Sequence, residues 1–210
     1  MTRGDIKKGI KNELDDQTID DTLLNTWVQK ADEKVQMWRP ANDQNQTFDY
    51  WDYLKTEQPY TSVANQTKYP VPENFRAFME LRIGTDTKPY TLIDFRKRSD
   101  YTGHAVYLLG GSFYPIAIPT SDGAAMNLVF VRISDDFASD NDEPEVEKLY
   151  HQAYVEWGKK MYYNQQGDTE LERQAESNFE RIMIGKWRDQ EIARMAAASD
   201  QAEIPRSSLV

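Results

Sequence analysis

Residues 104–118 read HAVYLLGGSFYPIAI. Two apolar, aromatic-rich runs flank Gly110-Gly111, and consecutive glycines supply the positive φ that a two-residue hairpin turn needs. The stretch therefore predicts an antiparallel β-hairpin. Upstream, Phe75, Ala77, Met79, Leu81 and Ile83 alternate with Arg76, Glu80 and Arg82, and Gly84 ends the run. That strict period of two is a half-buried strand. Tyr90–Phe95 is a further strand after Lys88-Pro89. Downstream, Asp122-Gly123 separates Ile116-Ala117-Ile118 from Leu128-Val129-Phe130-Val131, a second hairpin signal. Short strands at 60–64 and 69–71 complete the picture of an antiparallel meander.

Periodicity changes on both sides of this block. Ile6, Ile10 and Leu14 recur every four residues, an apolar helical stripe. Thr18, followed three residues later by Asp21, offers a new helix start with a capping-box-like pattern. Leu24, Trp27, Val28, Ala31, Val35 and Trp38 then follow one face of a helix that Pro40 ends. Residues 41–58 are polar and aromatic and predict an irregular loop. After the β block comes an acidic stretch, Asp135 to Glu147, in which Pro144 stands at the expected first helical position. Val146, Leu149, Tyr150, Ala153, Tyr154, Trp157 and Met161 form a wide apolar face. Residues 164–167 break that helix, Asp168 or Thr169 restarts it, and Leu171, Ala175, Phe179, Ile182, Met183 and Trp187 carry a long final helix. The expected fold class is α+β. N- and C-terminal helices (1–58 and 134–195) form a bundle around an inserted antiparallel β meander (59–133), and 196–210 are an extended C-terminal arm.

Composition excludes several functions. The 210 residues include 25 basic and 35 acidic side chains, a net charge of −10, with no cysteine and two histidines. Disulfides, thiol nucleophiles and cysteine–zinc sites are impossible, and His104 and His151 have no partner at ligand spacing. The acidic balance argues against a duplex-DNA clamp or a binder of anionic membranes. No apolar run reaches the roughly 18 residues of a membrane span, and the first residues are charged, so the sequons at Asn45 and Asn65 and the Arg3-Gly4-Asp5 triplet are read as chance matches. The charge is unevenly spread: −4 over residues 1–58, +2 over 59–133 and −8 over 134–210.

No catalytic constellation emerges. There is no nucleophile elbow, and Gly110-Gly111 lies in a hairpin without the Lys-Ser/Thr of a phosphate loop. Among the carboxylates, Glu80 is the nearest to an isolated acid, and its plain role is the solvent face of a strand. The acidic stretch fails the calcium-loop register, because Pro144 follows Asp140 and Asp142 and no glycine comes next. It reads as a solvated loop that starts a helix. Arg96-Lys97-Arg98 is the densest basic cluster, suited to a subunit contact. Trp157 and Trp187 lie on apolar helical faces, where core packing and an oligomer interface use the same residues.

The order of elements resembles the head-to-tail adaptor (connector, or neck) proteins of tailed bacteriophages. The match rests on Thr18-Ile19-Asp20-Asp21 at the start of the first long helix and on Tyr69-Pro70-Val71-Pro72-Glu73-Asn74-Phe75-Arg76 before the β block. A Pro-Glu start at 144–145 of the penultimate helix, with Tyr150 and Tyr154 at its aromatic positions, completes it. The likeness runs over residues 3–195. The larger β region departs from the minimal members and is similar to short-tailed phage versions, whose ring also docks tail fibres or a nozzle.

The resemblance implies a structural virion protein, made in the bacterial cytoplasm, without enzymatic activity or cofactor. It implies a homo-oligomeric ring of twelve copies. That ring joins the portal protein of the head to a tail or nozzle protein and continues the DNA channel without gripping the DNA. It implies portal docking by the C-terminal arm, with Ile204, Pro205, Leu209 and Val210 as anchors. Arg96, Lys97, Arg98, Trp157 and Trp187 are the subunit-interface residues on this reading. Two other classes fit the composition: a β-sheet receptor- or tail-component-binding module on a helical oligomerisation base, and a virion-associated glycan hydrolase.

Overall fold

The computed structural model describes residues 1–40, 50–85 and 88–202. The chain divides into two compact units: Met1–Trp51 with Asp135–Val210, and Asp52–Ser134. The architecture is α+β, with helices at both ends of the chain and a central, mostly antiparallel β region.

The first unit holds α1 (Arg3–Leu14), α2 (Asp21–Met37), α3 (Gln152–Gln166) and α4 (Thr169–Ala202). Helix α3 packs against all three others. Its Ala153, Tyr154 and Val155 are buried among Ile6 and Ile10 of α1, Leu24, Trp27, Val28, Ala31 and Val35 of α2, and Ala175, Phe179 and Met183 of α4. The α1–α3 crossing is close because α3 presents a glycine. A Cβ on Gly158 would stand 2.3 Å from Ile10 Cδ1 and 2.7 Å from Ile10 Cγ1. A polar network crosses the α2–α3 contact. Buried Asp32 accepts from the Tyr154 hydroxyl at 2.6 Å and from Gln36 Nε2 at 2.5 Å. Removing one partner would strand a desolvated group, so this network fixes which turn of α2 faces which turn of α3.

Helix caps refine the sequence picture. Thr2 and Asp5 form a reciprocal capping box on α1. The cap of α2 is Asp20, accepting from Thr22 and Leu23 N–H, and not Thr18, which Asp16 captures through both its N–H and its hydroxyl. Gly167 (φ 73°) ends α3, and Asp168 caps α4 through Leu171 N–H. Helix α4 continues to Ala202. Residues 196–202, expected in an extended arm, are thus its last turns, as the strong helix propensity of Ala196-Ala197-Ala198 favours. Ile204, Pro205, Leu209 and Val210 lie outside the described residues.

The acidic stretch keeps most of its carboxylates exposed, as expected, but it is a strap and does not itself start the helix. Pro144 is buried, and α3 begins only at Gln152, after a 3-10 turn Lys148–Tyr150. The strap caps α1. Its Asp142 and Asp140 carbonyls accept from Arg3 and Gly4 N–H at 2.7 and 2.9 Å, two donors with no partner inside the helix. Arg3 also reaches the Phe137 carbonyl and the Asp140 carboxylate, and nearly buried Lys7 meets Asp140 at 2.8 Å. Asp142 folds back on the Ala138 and Ser139 N–H groups. Where the strap enters α3, His151 is fully buried, with Nε2 on the Val146 carbonyl and Nδ1 without a partner.

The second unit contains β1 (Lys55–Thr61), β2 (Tyr69–Pro70), β3 (Phe75–Ile83), β4 (Thr91–Leu92), β5 (Ala105–Leu109), β6 (Ser112–Pro115) and β7 (Ala125–Arg132). One sheet has the order β1-β7-β3, the other β2-β6-β5-β4. Tyr69, Leu81, Ile83, Tyr90, Val106, Phe113, Met126, Leu128 and Phe130 make one core. The β5–β6 hairpin forms as expected, with Gly110 and Gly111 both at positive φ (55° and 71°) and Leu109 opposite Ser112. The path differs from a consecutive meander elsewhere. β7 does not pair with β6; it sits between β1 and β3, antiparallel to both. Val131 as well as Leu128 and Phe130 is buried, so β7 carries apolar side chains on both faces, as a central strand does. β1 begins at Lys55, inside the expected loop. β4 is only two residues long and parallel to β5. Asp94 ends it by accepting from Arg96 N–H, starting a 3-10 turn at Phe95–Asp100.

Two predictions follow from this packing. Gly158→Ala costs a net loss of about 1–2 kcal/mol despite alanine's better helix propensity, because Ile10 is walled in. In urea unfolding, Ile10→Ala will cost less in that background than in the wild type; equal costs would refute the close crossing. The second concerns pH. Burial, opposed by the Val146 carbonyl, holds the His151 pKa below its usual 6.5. The unfolded chain therefore takes up that proton first, and stability falls as pH drops below 6.5, levelling off under the lowered folded-state value. The Lys7 hydrogen bond, then that of Arg3, lowers the Asp140 pKa below 3.8, so its contribution is complete above 3.8 and is lost through the lowered value. His151→Gln will flatten the first limb and Asp140→Asn the second. A wild-type-like profile in either variant would overturn the assignment.

Candidate interaction surfaces

Surfaces able to meet partners are distinguished by unpaired charge, exposed apolar side chains and unmet hydrogen-bonding groups. The basic cluster lies on the 3-10 turn Phe95–Asp100, and every residue of that turn is exposed. The Asp94 cap fixes the turn through its side chain and, from its carbonyl, through Lys97 N–H at 2.9 Å. Arg98 Nη1 donates back to the Phe95 carbonyl at 3.1 Å. The Arg96 guanidinium and the Lys97 ammonium make no hydrogen bond or ion pair among the described residues. Phe95 and Tyr101 are exposed beside them.

The two tryptophans are engaged within their own unit. Trp157 is half-buried on α3, its ring 5.1 Å from Phe179, with the ammonium groups of Lys160 and Lys34 over it at 4.5 and 5.4 Å. Trp187 is half-buried on α4. Both indole N–H groups are buried without an acceptor. These tryptophans belong to the helical unit and the basic turn to the β unit. The most exposed apolar side chains of the helical unit are elsewhere: Leu149 at 76%, and Met195 at 70% and Ile192 at 65% near the end of α4.

Several buried charges were not singled out by sequence pattern. Lys186 of α4 is 3% exposed, paired with Glu147 of the strap, with its ammonium 5.0 Å from the Trp51 ring and 4.9 Å from that of Tyr150. Burial and its hydrogen bond to Asp189 push the Tyr150 phenol well above its ordinary pKa. Glu156 is buried with Lys159 and Asn178. For Lys159, burial alone would lower the pKa, but Glu13 and Glu156 together raise it. These groups pin helices to one another. Glu80 is half-buried and paired with Arg82 on its own strand. Among the described residues, no three His, Asp or Glu side chains gather into a metal-holding group, and no helix is long and apolar enough to cross a membrane.

A cleft of about 410 Å³ opens beside α2, lined by Arg3, Asn25, Thr26, Gln29, Lys30 and Glu33 and by Asp136 and Phe137 of the strap, so two cations and two carboxylates share it. Gln29 ties its floor, donating to Asp136 at 2.6 Å and accepting from Phe137 N–H at 3.4 Å. Glu33 is exposed and unpaired, and the Asn25 carbonyl oxygen is buried without a donor. The sequence signal for it was Phe137, the one aromatic within the acidic stretch.

None of the curated proteins matches this chain. The family model described as SU10 adaptor protein matches residues 1–203, nearly the whole chain. The two-unit α+β chain thus belongs to the SU10 adaptor protein family, a family of bacteriophage head–tail adaptors, and is a structural component of a virion.

Proposed function

We propose that the protein assembles as a ring of twelve copies that joins the portal of the phage head to the tail and continues the DNA channel. The observation that carries this is the separation of charge between its two units. Residues of the helical unit hold 16 basic and 27 acidic side chains, net −11, and those of the β unit hold 9 and 8, net +1. Within the β unit, the exposed cations are concentrated on the turn at 95–100. A chain with an acidic part and an exposed basic turn is suited to head-to-tail contact with further copies of itself, and a heterologous contact of that kind forms a ring when its rotation closes. Arg96, Lys97 and Arg98 are the electrostatic part of that interface, and Trp157 and Trp187, each half-buried on its helix, are its apolar part.

Acidic side chains of the helical unit line the channel on this reading. DNA then slides, since a basic lumen would hold it by counterion release. The end of α4, with Ile192 and Met195 exposed, leads into the segment whose Ile204, Pro205, Leu209 and Val210 anchor it to the portal. The β unit offers two open sheets to the tail or nozzle protein below.

Three measurements test this. Electron micrographs of the protein bound to portal-bearing capsids will show a twelvefold ring with an acidic lumen; a lumen dominated by Lys and Arg would refute the sliding argument. Deleting residues 199–210 will abolish recruitment to such capsids, and unchanged recruitment would reject the arm. Arg96→Glu with Arg98→Glu will weaken self-association strongly at about 0.05 M salt and little at about 0.5 M. A loss independent of salt would assign those residues a structural role instead.

A further inference from the structure

We infer that the cleft beside α2 is a receptor for the Arg96 guanidinium of a second copy of this chain. The inference rests on the self-assembly reading and adds to it the receiving surface for the basic turn.

The cleft's lining matches a guanidinium in chemistry. Glu33 supplies an exposed carboxylate that no cation of its own chain uses, although Lys30 stands one turn away. Asp136 has one carboxylate oxygen on Gln29 and the other available. The Asn25 carbonyl oxygen has no donor in the free protein, so rotating its amide toward an incoming N–H breaks no existing bond there. Phe137 adds an aromatic ring of the kind on which a planar guanidinium stacks. Five N–H donors in a rigid fork suit a cleft lined by two carboxylates and an amide carbonyl.

The cleft's own cations leave room. Arg3 is turned to Asp140 and to the Phe137 carbonyl. Lys30 is exposed and can extend into water. On the donor side, Arg96 is the cation of the turn with a free guanidinium, since Arg98 is held by the Phe95 carbonyl. Asp135, exposed and unpaired beside Asp136, provides a counter-ion for the neighbouring Lys97. Both surfaces belong to the same chain, so each copy carries one donor and one receptor, and the contact propagates.

A charge swap in the full chain tests the pairing. Glu33→Arg alone and Arg96→Glu alone will each weaken self-association by about ten- to hundred-fold in sedimentation at low salt. The two together will restore it to within about threefold of wild type. Arg96→Lys, which keeps the charge and loses the fork, will recover only part. Singles without effect, or a swap that does not restore, overturn the cleft assignment while leaving self-assembly intact. If the wild type sediments as a monomer at every concentration, self-assembly of the isolated chain fails, and a second measurement decides the cleft. An acetylated and amidated peptide of residues 93–102 is titrated into the isotope-labelled full chain. Saturable NMR shifts at the Asn25 and Gln29 side-chain amides, lost in Glu33→Gln, uphold the receptor. Their absence refutes it.

Discussion

Helix α3 must be covered on three sides, and that constraint organises the helical unit. Fifteen residues long, it supplies contacts to α1, α2 and α4 at once. Each contact is made specific by a different device. Against α1 it is the missing side chain at Gly158, which lets Ile10 approach. Against α2 it is the Tyr154–Asp32–Gln36 network, where a wrong register would leave a carboxylate desolvated and unpaired. Against α4 it is Trp157 tilted on Phe179. Hydrophobic burial drives all three together, but it is indifferent to a one-turn slip. The glycine and the polar network are not.

The second organising element is the acidic strap. Its carboxylates sit largely where cations or N–H groups await them: Asp140 on Lys7 and Arg3, Asp142 on its own turn, Glu147 on Lys186, Glu143 near the amino terminus and Lys148. A run that reads in sequence as surplus negative charge is therefore spent on anchoring α1 and α4. Among the described residues, Asp135 and Glu33 are exposed acids without an ion pair. Part of the chain's negative charge is thus held close to internal cations, so the position of the remaining carboxylates matters as well as their sum.

Much of the fold was legible in the amino-acid sequence. The helical periods of α1, α2, α3 and α4 were carried by large apolar residues at fixed spacing, and the Gly110-Gly111 turn was unambiguous because only glycine takes two successive positive φ angles at little cost. What sequence could not show is pairing at a distance. β7 carries alternating signals that suit a hairpin partner or a central strand equally, and only the two-sided burial of Val131 against Leu128 and Phe130 decides for the second. The strap was misread because Pro144 and flanking carboxylates are as good at starting a helix as at terminating a strap. The cleft was invisible for a related reason. Asn25, Gln29 and Glu33 follow the polar face of α2, and only the return of the chain 107 residues later, where Asp136 meets Gln29, turns that face into a concavity.

These features bear on how an adaptor can be both stable alone and ready to assemble. The buried charges Lys186, Glu156 and Lys7 are each ion-paired within the chain, and Asp32 is hydrogen-bonded by Tyr154 and Gln36, so none of them waits for a partner to be satisfied. The exposed charges Arg96 and Glu33, by contrast, are cheap to leave in water, whereas the buried Asn25 amide oxygen is costly to leave without a donor. Contacts built from such groups are individually weak and screened by salt. In the ring proposed above, each added copy would satisfy a donor and a receptor at once and the last would close both remaining ends. Weak, repeated, directional contacts of this kind are what the proposed template-dependent assembly requires.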